Sequence, residues 1–156
     1  MRITERLNVE HGVFLRQIAD LEGRLLRGEP VEVLQGIVGV IMAAERPHRD
    51  IEDRLLYPAL LEHFGSNQAL DDLEAEHQEI DRLARLVSGP LEDALAIGTL
   101  CRALRSHIEK EIHALFPLVE EWVPKPRLEA MCDFYLEHVY ERSLGRASRG
   151  SQKWLE

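Results

Sequence analysis

The sequence of 156 residues predicts an all-α protein, an antiparallel up-down four-helix bundle with a short additional C-terminal helix. Three observations predict this fold. Apolar residues recur at spacings of three and four along most of the chain, and the alternating pattern of a β-strand is missing. Glycine, proline and short polar runs cut this pattern into segments of helical length. The connections are short, which makes neighbouring helices antiparallel.

The first two helices are predicted over residues 4–27 and 31–63. Gly28 and Pro30 separate them, and a Gly-Ser-Asn turn follows the second. Pro47 lies inside the second helix and is expected to bend it, because proline removes a backbone hydrogen bond. The inward stripe of helix one contains a histidine: Leu7, His11, Phe14, Ile18, Leu21 and Leu25.

The third and fourth helices are predicted over residues 68–87 and 91–122, on either side of a Ser-Gly-Pro break. The inward stripe of helix three is Leu73, His77, Ile80, Ala84 and Val87. That of helix four is Ile97, Leu100, Leu104, His107 and Glu111. Two prolines then precede a shorter helix over residues 127–141. We expect residues 1–142 to form one domain and residues 143–156 to form a flexible tail.

The charge and the apolar content exclude several classes of protein. A net charge of −9 disfavours nucleic-acid binding and membrane-surface binding, which need clustered lysine and arginine. No segment approaches the roughly 18 apolar residues of a membrane span, and the first residues lack the apolar stretch of a signal peptide. Only Cys101 and Cys132 are present, so no disulfide framework is expected. A cytoplasmic location is the resulting expectation.

An internal repeat relates the two halves of the chain. Helix two contains His48-Arg-Asp-Ile-Glu52 and helix four contains His107-Ile-Glu-Lys-Glu111, each followed by an aromatic-proline pair at the same distance. Helices one and three share a Glu-His pair that ends in His11 and His77. The chain is therefore predicted to consist of two helical hairpins related by a pseudo-twofold axis.

The repeat brings six polar side chains to the predicted core. A helix advances about 100° per residue, so residues four apart lie on the same face. By this spacing the apolar stripes turn six residues inward: His11, His48, Glu52, His77, His107 and Glu111. Any one buried histidine is usually a hydrogen-bonded core residue, and one His-Glu pair is usually a surface contact. Six such groups together would be costly unless they satisfied one another.

Metal ions would satisfy all six groups. Imidazole and carboxylate together suit iron, manganese or zinc. Two carboxylates on opposing helices can bridge two metals, while two histidines complete each metal, and helical bundles hold dimetal sites built in this way. The repeat favours two metals over one. Three further histidines, His63, His113 and His138, fall off the pattern and are expected at the surface.

On these paired motifs the chain resembles the hemerythrin-like, or HHE cation-binding, proteins over residues 4–122. The resemblance implies two iron ions with an oxo or hydroxo bridge, although manganese or zinc would suit the same donors. It implies that the six residues are the ligands, with Glu52 and Glu111 bridging. It also implies O2, NO or peroxide as the small-molecule partner. A protein partner is left open.

The chain departs from the oxygen-carrying hemerythrins, which have a second histidine one turn after the third-helix ligand. Here that position is Asp81, and the fourth-helix carboxylate comes four rather than five residues after His107. The chain therefore looks more like the bacterial and regulatory branch. Asp81 and Glu45 are candidates for a seventh ligand, with a surface or supporting role as the alternative. Glu10 and Glu76 are expected at the surface or beside the ligands.

Two classes of function follow from these expectations. The first is binding or sensing of O2 or another diatomic such as NO. The alternative is a diiron enzyme that acts on peroxide or NO, or that takes part in iron–sulfur cluster repair. No separate acid–base pair or nucleophile is evident in the sequence, so any catalysis would depend on the metals.

Overall fold

The computed structural model describes residues 1–65, 68–90 and 94–143. The first half contains α1 (Ile3–Leu26), α2 (Val31–Ile51), a first π-helical segment (Glu52–Leu56) and α3 (Tyr57–Phe64). The second half contains α4 (Gln68–Val87), α5 (Leu95–Lys110), a second π-helical segment (Glu111–Leu115), α6 (Phe116–Trp122) and α7 (Lys125–Ser143). These elements form five rods, because each π-helical segment continues the helices on both sides of it.

The observed helices match the predicted ones closely at most ends. The predicted second and fourth helices are continuous rods, but each contains a π-helical segment that the apolar spacing does not reveal. Within α2, Pro47 does not end the helix, which keeps α geometry through Ile51. The C-terminal helix is longer than predicted and reaches Ser143. The rest of the predicted tail, residues 144–156, lies outside the described residues, as do 91–93 at the predicted start of helix four.

Glycines end two of the helices. Gly28 follows α1 with a φ of 70°, and Gly65 follows α3 with a φ of 66°. Both values lie in the left-handed region, which glycine adopts without the steric cost that a Cβ atom imposes. Pro30 then precedes α2, where its missing N–H costs nothing. The chain thus reverses between α1 and α2 within a few residues.

The four long rods form the sides of a bundle. α1 packs against α2 and α5, and α4 packs against the same two helices, so each long helix has two neighbours. α7 packs against α1 on the outside of this arrangement. The predicted all-α bundle with an additional C-terminal helix is confirmed. No helix among the described residues is long and apolar enough to cross a bilayer.

Two apolar clusters fill the bundle, one on each side of a polar layer. Leu7 of α1 and Leu73 of α4 belong to the cluster that α3, α6 and α7 also line. Phe14 of α1 and Ile80 of α4 belong to the cluster at the other end. The inward histidine of each of these helices lies between its two apolar neighbours. The polar layer is therefore enclosed by hydrocarbon above and below.

Each π-helical segment begins at an inward glutamate and ends two residues before a proline. The Tyr57 N–H donates to the Glu52 carbonyl, and the Phe116 N–H donates to the Glu111 carbonyl. A proline one residue later lacks an N–H, and its ring clashes with the carbonyl four residues earlier in an α-helix. The wider π turn accommodates the proline. π segments often occur at functional sites, and these two flank the polar layer.

Candidate metal centre

All six inward residues predicted from the sequence meet in the polar layer. They form two overlapping groups, His11-His48-Glu52-Glu111 and Glu52-His77-His107-Glu111, whose potential ligand atoms lie within 4.8 Å of one another. The two glutamates belong to both groups. Each of the six residues is at most 4 % exposed. The arrangement has the pseudo-twofold symmetry of the repeat.

The four histidines form two pairs, each directed at one point. The Nε2 atoms of His11 and His48 lie 2.8 Å apart. The Nε2 atoms of His77 and His107 lie 2.7 Å apart. Each pair brings together helices that are neighbours in the bundle, α1 with α2 and α4 with α5. Each point therefore receives two imidazole nitrogens from two different helices.

Glu52 has one oxygen towards each histidine pair. Its Oε1 lies 3.0 Å from the Nε2 of His48, and its Oε2 lies 3.8 Å from the Nε2 of His77. The helical spacing of four residues places it beside His48 within its own rod. The carboxylate thus spans the two points.

Glu111 repeats this geometry from the opposite rod. Its Oε2 lies 3.2 Å from the Nε2 of His11, and its Oε1 lies 3.3 Å from the Nε2 of His107. Burial by itself would raise the pKa of Glu111, but the charge on His107 and hydrogen bonds from both histidines hold it well below its usual range. Glu111 is therefore an anion in the interior, in position to bridge two cations.

Two further glutamates orient two of the histidines. The Nδ1 of His48 lies 2.9 Å from Glu10 Oε2, and the Nδ1 of His107 lies 2.9 Å from Glu76 Oε2. Each of these glutamates thus supports the histidine of the neighbouring helix rather than the one next to it in sequence. Of the two expectations for Glu10 and Glu76, the position beside the ligands is the observed one.

The donor set fits a divalent cation. A histidine whose Nδ1–H donates to a carboxylate keeps, in its neutral form, a lone pair on Nε2. Facing lone pairs such as those of His77 and His107 repel unless a proton or a metal ion lies between them. Glu52 Oε1 is buried and lies 3.0 Å from His48 Nε2, but among the described residues no hydrogen bond of good geometry reaches it. Imidazole with carboxylate suits iron, manganese or zinc.

Two aromatic rings cover the cluster, one in each half. Tyr57 stacks on His77 at a ring-centroid distance of 5.6 Å, and Phe116 stacks on His11 at 5.1 Å. Each ring comes five residues after a cluster glutamate, which in an α-helix would turn it about 140° away. The π-helical segments bring both rings back onto the face of the glutamates.

Tyr57 differs from Phe116 by a hydroxyl group, and that group takes part in the cluster. The hydroxyl donates to Glu111 Oε1 at 2.9 Å. Burial and the charges of Glu111 and Glu52 raise the pKa of Tyr57, so its phenol stays protonated at neutral pH. The structure therefore makes Tyr57 a hydrogen-bond donor to a glutamate that belongs to both groups of potential ligands.

One side of the cluster carries a charged set, in which Arg49 and Glu45 are buried and Asp81 is half-buried. Arg49 of α2 donates to the His77 carbonyl at 2.9 Å and to Asp81 Oδ1 at 2.7 Å. Its Nε lies 3.4 Å from Glu45 Oε1. Asp81 and Glu45, the two candidates for a seventh ligand, are therefore partners of Arg49, and neither belongs to the groups of potential ligands.

The equivalent side in the other half is apolar. By the repeat, Glu45, Arg49 and Asp81 correspond to Leu104, Ile108 and Leu15. The two halves therefore share the six inward residues but differ in what surrounds them.

A groove opens over the charged side. Its volume is about 260 Å³, and its lining includes Arg46, Arg49, Asp53, His77 and Asp81. His77 is thus a buried residue at the floor of a solvent-facing groove. This opening offers small polar molecules a path towards the cluster.

Sequence reasoning missed three contributors to the site. Asp53 Oδ1 lies 2.8 Å from His77 Nδ1, Arg49 connects α2 to α4, and the Tyr135 hydroxyl of α7 donates to Glu10 Oε2 at 2.8 Å. Asp53 could have been noticed because it follows Glu52, where Ile112 follows Glu111. No local pattern marks Tyr135.

The three histidines off the pattern lie away from the cluster. His63 and His113 are exposed, as expected. His138 is half-buried rather than exposed, because its ring stacks on Phe134.

The carboxylates around the cluster raise the proton affinity of two histidines. Burial by itself would lower the pKa of His48, but the charge of Glu52 and the hydrogen bond to Glu10 outweigh it and raise the pKa to about 10. Burial is likewise outweighed at His107, where the charge and hydrogen bond of Glu111 raise the pKa to about 9. The cluster therefore attracts positive charge.

Metal binding is accordingly expected to release protons and to strengthen as the pH rises. Without metal, His48 and His107 stay protonated at neutral pH, and a cation on their Nε2 atoms displaces those protons. Titration calorimetry at neutral pH in buffers of different ionisation enthalpy should show release of about two protons per fully loaded chain. A metal affinity that does not change between neutral and mildly alkaline pH would contradict this prediction.

The same pKa values predict how the stability of the metal-free protein changes with pH. Both are raised above the ordinary imidazole value of about 6.5, so their stabilising contribution is complete below that pH. It is lost as the pH rises through about 9 to 10. Thermal unfolding of the metal-free and metal-loaded protein across this range provides the control, because the loaded protein should not show the loss.

Comparison with known proteins gives one match. A family model described as the hemerythrin HHE cation binding domain matches residues 2–133. This range contains all six inward residues and ends within α7. No curated protein and no solved structure matches the chain.

Proposed function

The chain belongs to the hemerythrin HHE cation-binding domain family, and from this membership and the geometry of the cluster we propose that it is a non-haem diiron protein that binds O2 or NO. The family and the cluster of histidine and glutamate provide a metal-binding site. The finer proposal is that His11, His48, Glu52, His77, His107 and Glu111 hold two iron ions.

The single observation that carries the proposal is the shared position of the two glutamates. Each has one oxygen towards the His11–His48 pair and the other towards the His77–His107 pair. Two cations placed at these points would each receive two imidazole nitrogens and two carboxylate oxygens. A single cation would leave the other histidine pair with only a shared proton, and one oxygen of each buried glutamate without a cation, which is costly.

The surroundings of the cluster favour a small ligand. When bound, ferrous ions supply electrons and open coordination positions that O2 or NO can use. The protein contributes a layer closed by apolar clusters above and below, which excludes bulk water. Tyr57 contributes a hydroxyl group beside the bridging Glu111. The groove over His77 admits molecules from one side.

Turnover of peroxide or NO, or a part in iron–sulfur cluster repair, is the second candidate function. The Tyr57 hydroxyl favours it, because its single proton, which donates to Glu111 in this structure, could turn to an oxygen-containing substrate once Glu111 holds a cation. Phe116, the equivalent residue in the other half, offers no such donor. Loss of the Tyr57 hydroxyl would therefore impair catalysis more than it would impair reversible binding.

Elemental analysis of purified protein combined with absorption spectroscopy tests the proposal. We expect about two iron ions per chain, as the paired groups require. After anaerobic reduction, O2 or NO should produce near-ultraviolet and visible bands that disappear when the gas is removed. Well under one equivalent of any transition metal would overturn the metal-site proposal, and bands that never reverse would exclude reversible carriage.

The Tyr57→Phe variant separates the two candidate functions, since it copies the Phe116 of the other half. Reversible binding predicts nearly unchanged bands with a modest change in gas affinity. Enzymatic turnover predicts a peroxide or NO rate that falls about tenfold or more when a positioned donor is lost. If the unaltered protein turns over neither compound faster than free iron, the enzyme hypothesis is excluded.

A further inference from the structure

The four cluster histidines are not held equally. Three of them have an Nδ1 atom within hydrogen-bond distance of a carboxylate: His48 with Glu10 at 2.9 Å, His77 with Asp53 at 2.8 Å and His107 with Glu76 at 2.9 Å. Such contacts fix the ring orientation of a metal-binding histidine and make its other nitrogen a stronger ligand. These three imidazoles are prepared for a cation on Nε2.

His11 is the exception. Its Nδ1 is buried and has no hydrogen-bond partner among the described residues. The repeat explains the difference: Asp53, which holds His77, follows Glu52, whereas Ile112 follows Glu111. Ile112 packs against the apolar cluster beside the site and offers no acceptor. The pseudo-twofold symmetry of the cluster is therefore broken at one atom of one histidine.

The missing acceptor has a chemical consequence. A cation on His11 Nε2 requires the neutral tautomer of His11 that has its proton on Nδ1. That N–H would then lie in the interior without an acceptor, which is unfavourable. His77 incurs no such cost, because Asp53 accepts its proton.

We propose that the two metal positions are inequivalent, with the first ion bound by His77 and His107 and the second bound more weakly by His11 and His48. The inference rests on the proposed metal-binding function and adds the order in which the positions fill. Loss of an outer hydrogen-bond partner typically costs about 10- to 100-fold in metal affinity. The position that contains His11 should be weaker by this factor.

Charge repulsion alone would also weaken whichever ion binds second, because the two positions share both glutamates. Two unequal affinities in the unaltered protein therefore do not test the inference. The test must identify which histidine pair binds the first ion.

Two single variants, one for each pair, identify the histidine pair that binds the first ion. Purified full-length protein is stripped of metal and titrated anaerobically with Fe²⁺, with a competing chelator to measure each affinity. In His11→Ala the second step should disappear while the first step stays within about twofold, since the anchored pair is intact. In His77→Ala the first step itself should weaken by about 10- to 100-fold, because the ion must use the pair that contains His11.

A reciprocal substitution tests the role of the acceptor. Ile112→Asp gives His11 the carboxylate that His77 already has, and should strengthen the second step by about tenfold. Ile112→Asn, which has the same size without the charge, separates hydrogen bonding from electrostatic attraction. Circular dichroism checks that each variant is folded. If Ile112→Asp does not fold, the two histidine variants still decide the question.

The outcomes distinguish this inference from the proposed function. An unaltered protein that binds no Fe²⁺ overturns the proposed function itself. If the unaltered protein binds two ions while His11→Ala and His77→Ala lose the same first-step affinity, that result overturns only the inequivalence of the two positions. Loss of all binding in both variants also overturns it, because the two positions would then not bind separately.

Discussion

The Glu111→Ala variant is expected to lose both metal ions while the protein stays helical. Glu111 has one oxygen 3.2 Å from His11 Nε2 and the other 3.3 Å from His107 Nε2, so its removal takes a donor from each position. We expect each affinity to fall by at least about 100-fold, the upper end of the loss seen when only an outer partner is removed. Elemental analysis after dialysis measures the metal content, and far-ultraviolet circular dichroism measures the helix content.

Glu109→Ala is the matched control for this prediction. Glu109 is exposed on α5, two residues before Glu111. Its replacement by alanine removes the same charge from the same rod. It should retain both ions. A Glu111→Ala protein that still holds two ions would show that the carboxylate does not bridge. Loss of helix content together with metal would show that the bundle cannot fold without Glu111.

The Arg49→Ala variant is expected to be strongly destabilised. It removes the guanidinium that donates to the His77 carbonyl and to Asp81, and leaves Glu45 buried without its cation. Breaking a buried ion pair by removing one partner costs about 3–5 kcal/mol. Burial raises the pKa of Glu45, so Glu45 can take up a proton, and the lower end of that range applies.

Thermal or denaturant unfolding of the metal-free protein measures this loss, which corresponds to a fall in Tm of about 6–12 °C for a chain of this size. The chain provides its own control. The triple variant Glu45→Leu, Arg49→Ile and Asp81→Leu copies Leu104, Ile108 and Leu15 of the other half. Replacing a buried ionic set by apolar residues is often neutral or stabilising by about 1–4 kcal/mol. A triple variant as unstable as Arg49→Ala would assign the loss to packing rather than to unpaired charge.

The two halves of the bundle share the geometry of the cluster but differ in its surroundings. This difference indicates a division of roles between the halves. The shared residues build two similar groups of potential metal ligands. The residues that differ, Asp53 and Arg49 on one side and Ile112 and Ile108 on the other, make one side polar and open and the other apolar. A small ligand that enters by the groove therefore meets the His77 side of the cluster first.

The sequence alone predicted the bundle and the six inward residues, because both depend on local spacing. Residues four apart in a helix share a face whatever the rest of the chain does, so His48 with Glu52 and His107 with Glu111 could be assigned before any tertiary contact was known. The repeat added the pseudo-twofold relation. Comparison with the oxygen-carrying hemerythrins also made Asp81 a candidate for a seventh ligand. In the structure Asp81 is instead an ion-pair partner of Arg49.

Only the tertiary structure determined which groups support the six inward residues. Glu10 could have faced solvent, but the stagger of α1 against α2 brings it to His48, and the docking of α7 brings Tyr135 to Glu10. The π-helical segments depend on where each proline must fit, and they decide that Tyr57 and Phe116 cover the cluster. Contacts between rods depend on their relative rotation and height, which no spacing within one helix encodes. For that reason the sequence determined what lies in the polar layer, and the packing of the helices decided how firmly each histidine is held there.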